Sequence, residues 1–199
     1  MNLIGCYIPV DPKLTKFLPA VKASLKENCN QVIAVKHDFG KQPEHEIRNK
    51  GIKEFELFDY VWTIDGDEII LPEDQSKVIN FLNKHKKYDS VMLPVINYSD
   101  MTLTKIYPMT NHRVFVLVRP KTFKFYKTRC AIANTYIFDD IFIHHFGYAD
   151  IGNNISYKIQ HYKDIGYEND AENLEKMIKQ IPIDIPVNKN LKIMLAKYF

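Results

Sequence analysis

The sequence predicts an α/β domain in which a mostly parallel central sheet is flanked by helices and followed by a helical C-terminus. Three observations lead there. Short β-branched and aromatic runs alternate with amphipathic helical stretches through the first third of the chain. The connections between them are brief and marked by Pro or Gly. The 199-residue length suits one Rossmann-like domain with a substantial core.

Residues 3–8 are a compact apolar run, read as the first strand, and Pro9 and Pro12 stop it. Leu14, Phe17, Leu18, Val21 and Leu25 recur at helical spacing, and Pro19 suits the first turn of that helix. Residues 32–35 read as the second strand, ended by the stretch from His37 to Gly40. Pro43 then opens a helix carrying Ile47, Arg48 and Ile52, and residues 61–64 form a third strand. The β-α-β-α-β order argues for parallel strands joined by crossover helices. Pro72, Glu73 and Asp74 begin a helix with acidic residues at its positive end, burying Val78, Ile79 and Leu82. Residues 90–95, 114–118 and 141–146 are further strands, and the polar stretch 97–110 reads as a loop or hairpin over the site. From residue 155 the pattern is helical, with Leu174, Met177, Ile178 and Ile181 on one face. Pro182 and Pro186 break it before a last amphipathic helix at 191–198. Packing on the domain is its expected role; Lys189, Lys192 and Lys197 leave a peripheral membrane contact open.

A formal charge of +3 with scattered lysines argues against nucleic acid as a partner and suits an anionic nucleotide. Cys6, Cys29 and Cys130 have no zinc spacing and read as reduced thiols. With no secretory leader and no apolar run of spanning length, a cytoplasmic protein is expected. Phosphate-loop, dinucleotide-fingerprint and nucleophile-elbow motifs are absent from the sequence.

The most informative stretch is Asp65-Gly66-Asp67 at the end of the third strand. Alternation along a strand puts residues i and i+2 on one face, so both carboxylates should leave the sheet edge together. Two carboxylates this close repel unless a cation or shared hydrogen bonds neutralise them. Mg²⁺ or Mn²⁺ uses one or two carboxylates and completes its shell with phosphate oxygens and water. The same tripeptide is also a common solvated turn.

Its surroundings carry a resemblance. Arg48-Asn49-Lys50-Gly51-Ile52, then Tyr60-Val61 and Asp65-Gly66-Asp67-Glu68, resemble the Arg-Asn-x-Gly-Ile and Asp-x-Asp-Glu block of family 2 glycosyltransferases, which have the GT-A fold. His145-Phe146-Gly147-Tyr148, followed by Lys158, is similar to the His-x-Gly-Tyr stretch and Lys-bearing helix that close many of them. The resemblance implies a single GT-A-like domain, with residues 1–96 binding a nucleotide-sugar, 97–150 facing the acceptor and 151–199 forming C-terminal helices. It implies contacts to base or ribose from Asp38, to the nucleotide or its diphosphate from Arg48, and to ribose and metal from Asp65. Asp67 and His145 would coordinate Mn²⁺ or Mg²⁺, with Glu68 behind them. In a regular strand His144 points to the opposite face from His145, and Trp62 is read as core.

An inverting transfer, which the family implies, needs a carboxylate base at the acceptor hydroxyl. The His-Glu or Glu-Asp pair of many relatives is missing from 97–140; Asp139 and Asp140 are the nearest substitutes, or else a solvated turn before the late strand. The expected activity is metal-dependent transfer from a nucleotide-sugar, UDP-linked, to a glycan or lipid-linked acceptor. A nucleotide-sugar-binding protein of the same fold without transfer activity is the alternative. A metal-dependent nucleotidyltransferase is a weaker one, since no Gly- or Lys-rich loop follows the first strand.

Overall fold

The computed structural model describes residues 2–11, 16–37, 42–108, 112–127, 129–149, 154–164, 166 and 168–199. The first half follows the expected alternation: β1 (Ile4–Val10), α1 (Leu18–Leu25), β2 (Gln31–Lys36), α2 (Glu44–Lys53) and β3 (Tyr60–Thr63). A turn leads to the two-residue β4 (Glu68–Ile69), then α3 (Pro72–Lys84) and β5 (Ser90–Asn97). After these come β6 (Lys105–Ile106), β7 (Arg113–Val118), β8 (Phe125–Lys127), β9 (Cys130–Ala131), β10 (Thr135–Ile137) and β11 (Ile143–His145). The chain ends in α4 (Asn154–Asp164), α5 (Glu168–Ile178), β12 (Ile183–Asp184) and α6 (Lys189–Leu195).

The central sheet runs β2-β1-β3-β7-β5-β11-β4, with β10 added alongside β5. β1 pairs in parallel with β2 and β3, and β5 pairs in parallel with β10 and β11. The exceptions are β7, inserted antiparallel between β3 and β5, and β4, antiparallel to β11. The result is a mixed, mostly parallel α/β sheet of Rossmann-like type.

Both faces of the sheet are covered, which is why its strands are continuously apolar rather than alternating. Cys6, Ile8, Tyr60, Trp62, Ile64, Val114 and Val116 pack on one side, under α1, α3 and α6. Tyr7, Val61, Phe115 and Val118 pack on the other, against Ile47, Ile52 and Phe55 of α2 and its exit. Each fully buried aliphatic side chain here contributes about 1.5–3 kcal/mol. Helix α2 rides very close to β1: a Cβ on Gly51 would lie 2.2 Å from the Tyr7 ring. That is a packing reason for the glycine of the Arg-Asn-x-Gly-Ile motif.

Pro19 stands in the first turn of α1, and Glu73 and Asp74 in the first turn of α3. Some expectations shift. Helix α5 ends at Ile178 ahead of Pro182, so Ile181 is left 85% exposed instead of continuing the buried face. The polar stretch after β5 is tied to the C-terminal segment, β6 pairing antiparallel with β12. The short strands β8, β9 and β10 had no apolar run long enough to announce them. Among the described residues no helix is long and apolar enough to cross a membrane. All three cysteines are free thiols.

Alternation along β11 does hold. His144 is buried, its ring stacked against Tyr98 and its Nδ1 in hydrogen-bond contact with the Tyr98 hydroxyl at 3.1 Å. Burial pushes its pKa down to about 4, against only a weak opposing pull from Glu73. A base whose folded pKa lies below its unfolded value of 6.5 stays neutral in the fold while the unfolded chain takes up a proton. Stability contributed by the neutral ring is therefore complete above pH 6.5 and lost as the pH falls towards 4, by about 3 kcal/mol. Denaturant titrations in chelator across this window should show a steeper acid loss for the wild type than for His144→Gln. Parallel curves would refute the assignment.

Candidate functional site

Strand β3 stops at Thr63, and the chain turns through Asp65-Gly66-Asp67 into β4, the Glu68 amide donating to the Asp65 carbonyl at 3.2 Å. The i, i+2 alternation of a strand therefore does not operate here. The two carboxylates sit on a turn and meet different partners.

Asp65 belongs to an arginine cluster. Arg48 donates from Nη2 to Asp65 Oδ1 at 2.6 Å and from Nε to Glu44 Oε1 at 2.7 Å. Its side chain is 2% exposed and fixes Asp65, while its Nη1 has no hydrogen-bond partner among the described residues. On the other side stands Arg129, from the turn between β8 and β9. It donates to both oxygens of the buried Glu68, at 2.6 and 3.0 Å, and lies 3.5 Å from Asp65 Oδ2. Glu68 in turn accepts from the Asp65 amide at 2.9 Å, closing the ring of contacts. Burial opposes the charge on Asp65, but Arg48 and then Arg129 outweigh it and hold the carboxyl below its ordinary range. Asp65 retains 32% exposure, the open edge of this cluster.

Asn49 of the same motif has a separate task. Its side chain donates to the Phe125 carbonyl at 2.7 Å and accepts from the Phe125 amide at 2.9 Å. This two-bond clamp fastens the β8–β9 hairpin to α2 and thereby positions Arg129.

Asp67 belongs to a second cluster. Its backbone carbonyl accepts from the Phe146 amide at 2.9 Å, pinning the turn to the end of β11. Its Oδ2 lies 3.6 Å from His145 Nε2 and 3.1 Å from Lys158 Nζ of α4. His145 Nδ1 is 2.7 Å from Asn97 Oδ1. With that oxygen accepting, His145 carries a proton on Nδ1, and Nε2 is the atom turned towards Asp67. Tyr148 lies edge-on to the His145 ring, and the Lys158 ammonium sits 5.2 Å from the Tyr148 centroid. Burial would raise the Asp67 pKa; the charge of Lys158 and then His145 hold it well below the carboxylate range instead. Burial works against the Lys158 charge, yet Asp67 keeps its pKa above the ordinary value.

All three groups converge on Gly147. A Cβ built there would lie 2.3 Å from Lys158 Nζ, 2.6 Å from Asp67 Oδ2 and 2.7 Å from His145 Nε2. The missing side chain is what leaves room for them to meet.

The sequence-named residues thus separate. Asp65 and Arg48 stand together, as do Asp67 and His145. Asp38 lies outside the described residues. Asp139 is 77% exposed and accepts from Arg113 Nη2 at 2.8 Å, while Asp140 lies within the electrostatic reach of Lys77 on α3. Both precede β11, whereas His145 ends it, and neither shares a contact with Asp65 or Asp67 among the described residues. Local sequence pattern gives no sign of Arg129 or Asn97, and Lys158 stands out only by its place after the His-x-Gly-Tyr stretch.

No family model matches the chain, and no curated protein does. Solved structures do. One is A197 from STIV, with 16% identity over 72% of this chain and 85% of that one, at a TM-score of 0.40. A second is S. aureus TarS in complex with UDP-GlcNAc, with 11% identity over 88% of this chain and 70% of that one, at 0.47. A third is a glycosyltransferase involved in glycosylation of the major capsid of PBCV-1, with 12% identity over 87% of this chain and 99% of that one, at 0.42. At such scores none of them transfers a ligand or a residue role to this chain.

Proposed function

We propose that the protein is a glycosyltransferase of the GT-A type whose donor is a nucleoside-diphosphate sugar held at the Asp65-Gly66-Asp67 turn. The observation that carries this reading is the convergence of Asp67 Oδ2 and His145 Nε2, 3.6 Å apart, over Gly147 at the C-terminal end of β11. Open α/β sheets bind ligands beyond the C-terminal ends of their parallel strands.

Two donors at this separation fit a divalent cation. Carboxylate oxygen and imidazole nitrogen suit Mn²⁺, and Mg²⁺ and Mn²⁺ alike take the rest of their shell from diphosphate and water. No group of three or more His, Cys, Asp or Glu able to hold a metal occurs among the described residues. Such an ion would therefore be shared with the donor and not caged by protein alone. When bound, it supplies Lewis-acid neutralisation of the leaving diphosphate. Asp67 and His145 hold that position, Asn97 sets the imidazole tautomer, and the open edge of Asp65 accepts from ribose hydroxyls. Arg48 and Arg129 neutralise Asp65 and Glu68, so the turn is stable without a ligand.

One observation favours the second reading, a nucleotide-sugar-binding protein without transfer. Asp139 and Asp140 stand away from the turn, and Asp139 is paired with Arg113. The deciding experiment is a panel of nucleotide-sugars, UDP-linked first, assayed for donor hydrolysis with Mn²⁺ and in chelator. Turnover of one donor with Mn²⁺ and none in chelator is expected. Binding without hydrolysis or transfer, across donors and glycan or lipid-linked acceptors, would establish the binding protein.

A further inference from the structure

Resting on the cation reading above, we propose that Lys158 is a built-in competitor of the divalent cation for Asp67, released from the carboxylate when a nucleoside diphosphate enters. Cation and diphosphate then bind well only together.

The geometry requires a choice at Asp67. Lys158 Nζ is 3.1 Å from Oδ2, the same oxygen that faces His145 Nε2 at 3.6 Å. All three atoms crowd the small volume over Gly147. A cation held by Asp67 and His145 would compete for that volume and would meet the ammonium at close range. Like charges so near, with Lys158 only 13% exposed, repel strongly.

Lys158 is also the positive charge best able to leave. Arg48 is locked between Glu44 and Asp65, and Arg129 forks onto Glu68. Among the described residues Lys158 is held by one carboxylate oxygen and the face of Tyr148, with Tyr162 within electrostatic reach, on a flexible stem of rotatable bonds. It can quit Asp67 and keep Tyr148. At Asp67 itself the Lys158 ammonium already neutralises the carboxylate, and an incoming ion must displace it. A bare cation gains little there. A diphosphate draws the ammonium onto its oxygens and frees Asp67 for the ion.

The test measures Mn²⁺ binding itself, from the resonance of free Mn²⁺, with and without UDP, in the wild type, Lys158→Gln, Lys158→Arg and Asp67→Asn. Glutamine keeps a donor for Asp67 and removes the charge; arginine keeps the charge. Without UDP, Lys158→Gln should bind Mn²⁺ roughly 10-fold tighter than the wild type, within the roughly 5–150-fold range of site coupling, and Lys158→Arg should remain weak. UDP should tighten Mn²⁺ binding more in the wild type than in Lys158→Gln. If Lys158→Gln binds Mn²⁺ no tighter than a wild type that still responds to UDP, the competitor role fails and the cation site stands. If the wild type binds no Mn²⁺ even with UDP, or Asp67→Asn binds it equally well, the cation reading itself fails. Should Lys158→Gln not fold, a wild-type crystal structure with Mn²⁺ and UDP decides. Nζ on a phosphate oxygen supports the proposal, and Nζ still bonded to Asp67 Oδ2 overturns it.

Discussion

Asp67→Asn should lower kcat/KM for the donor that the panel identifies by on the order of 10²–10³-fold, the scale on which deleting one preorganised electrostatic contact acts. The substitution is nearly isosteric, and the backbone bond from the Phe146 amide to the Asp67 carbonyl is untouched. The loss should therefore appear in turnover with circular dichroism unchanged. Lys158 loses its counter-charge but retains an amide oxygen and the Tyr148 ring. His145→Ala should act in the same direction, because it removes the second donor facing the same point. Turnover within tenfold of the wild type in Asp67→Asn would place the cation elsewhere.

Arg129→Ala carries the largest expected effect on stability. Arg129 is the bidentate partner of Glu68, whose side chain is 3% exposed, and it also donates to the Thr63 carbonyl at 3.3 Å. Removing it strands a buried carboxylate, which costs about 3–5 kcal/mol. For a domain of this size that is a fall of roughly 10 °C in Tm. Adding Glu68→Gln should return much of the loss, since the stranded charge disappears with it. A single mutant within about 1 kcal/mol of the wild type, beside a usual cost of several for an unpaired buried charge, would show that solvent reaches Glu68 in its absence.

Legibility from the sequence followed the range of the interactions. The parallel half could be read because each strand and helix carries its own period and its own Pro or Gly boundary. The fate of His144 and His145 could be read too, because alternation holds wherever a strand is real. The same rule failed at Asp65 and Asp67, where β3 had already ended at Thr63 and the chain was turning. The charge partners of the two close carboxylates were not legible either. Arg48, Arg129 and Lys158 neutralise the turn, and two of those three could not be placed by local pattern. Arg129 reaches Glu68 across 61 residues from a hairpin with no periodicity, and Lys158 reaches Asp67 across 91. Asp139 and Asp140 lie before β11, as their order in the chain requires; the Arg113 partner of Asp139, 26 residues away, had no local signal. Within the Arg-Asn-x-Gly-Ile motif, what local pattern could not supply was the division of labour. Arg48 fixes Asp65, Asn49 holds the hairpin, and Gly51 admits the Tyr7 ring.

The central claim is that Asp67 and His145 bind a diphosphate through a shared divalent cation, and calorimetry of UDP titrated into the wild-type protein addresses it most directly. One titration is run with Mn²⁺ and one in chelator. Affinity should be at least about tenfold tighter with Mn²⁺, a coupling of roughly 1.4 kcal/mol or more, and Asp67→Asn should show no such difference. Equal UDP affinity in Mn²⁺ and in chelator would contradict the account.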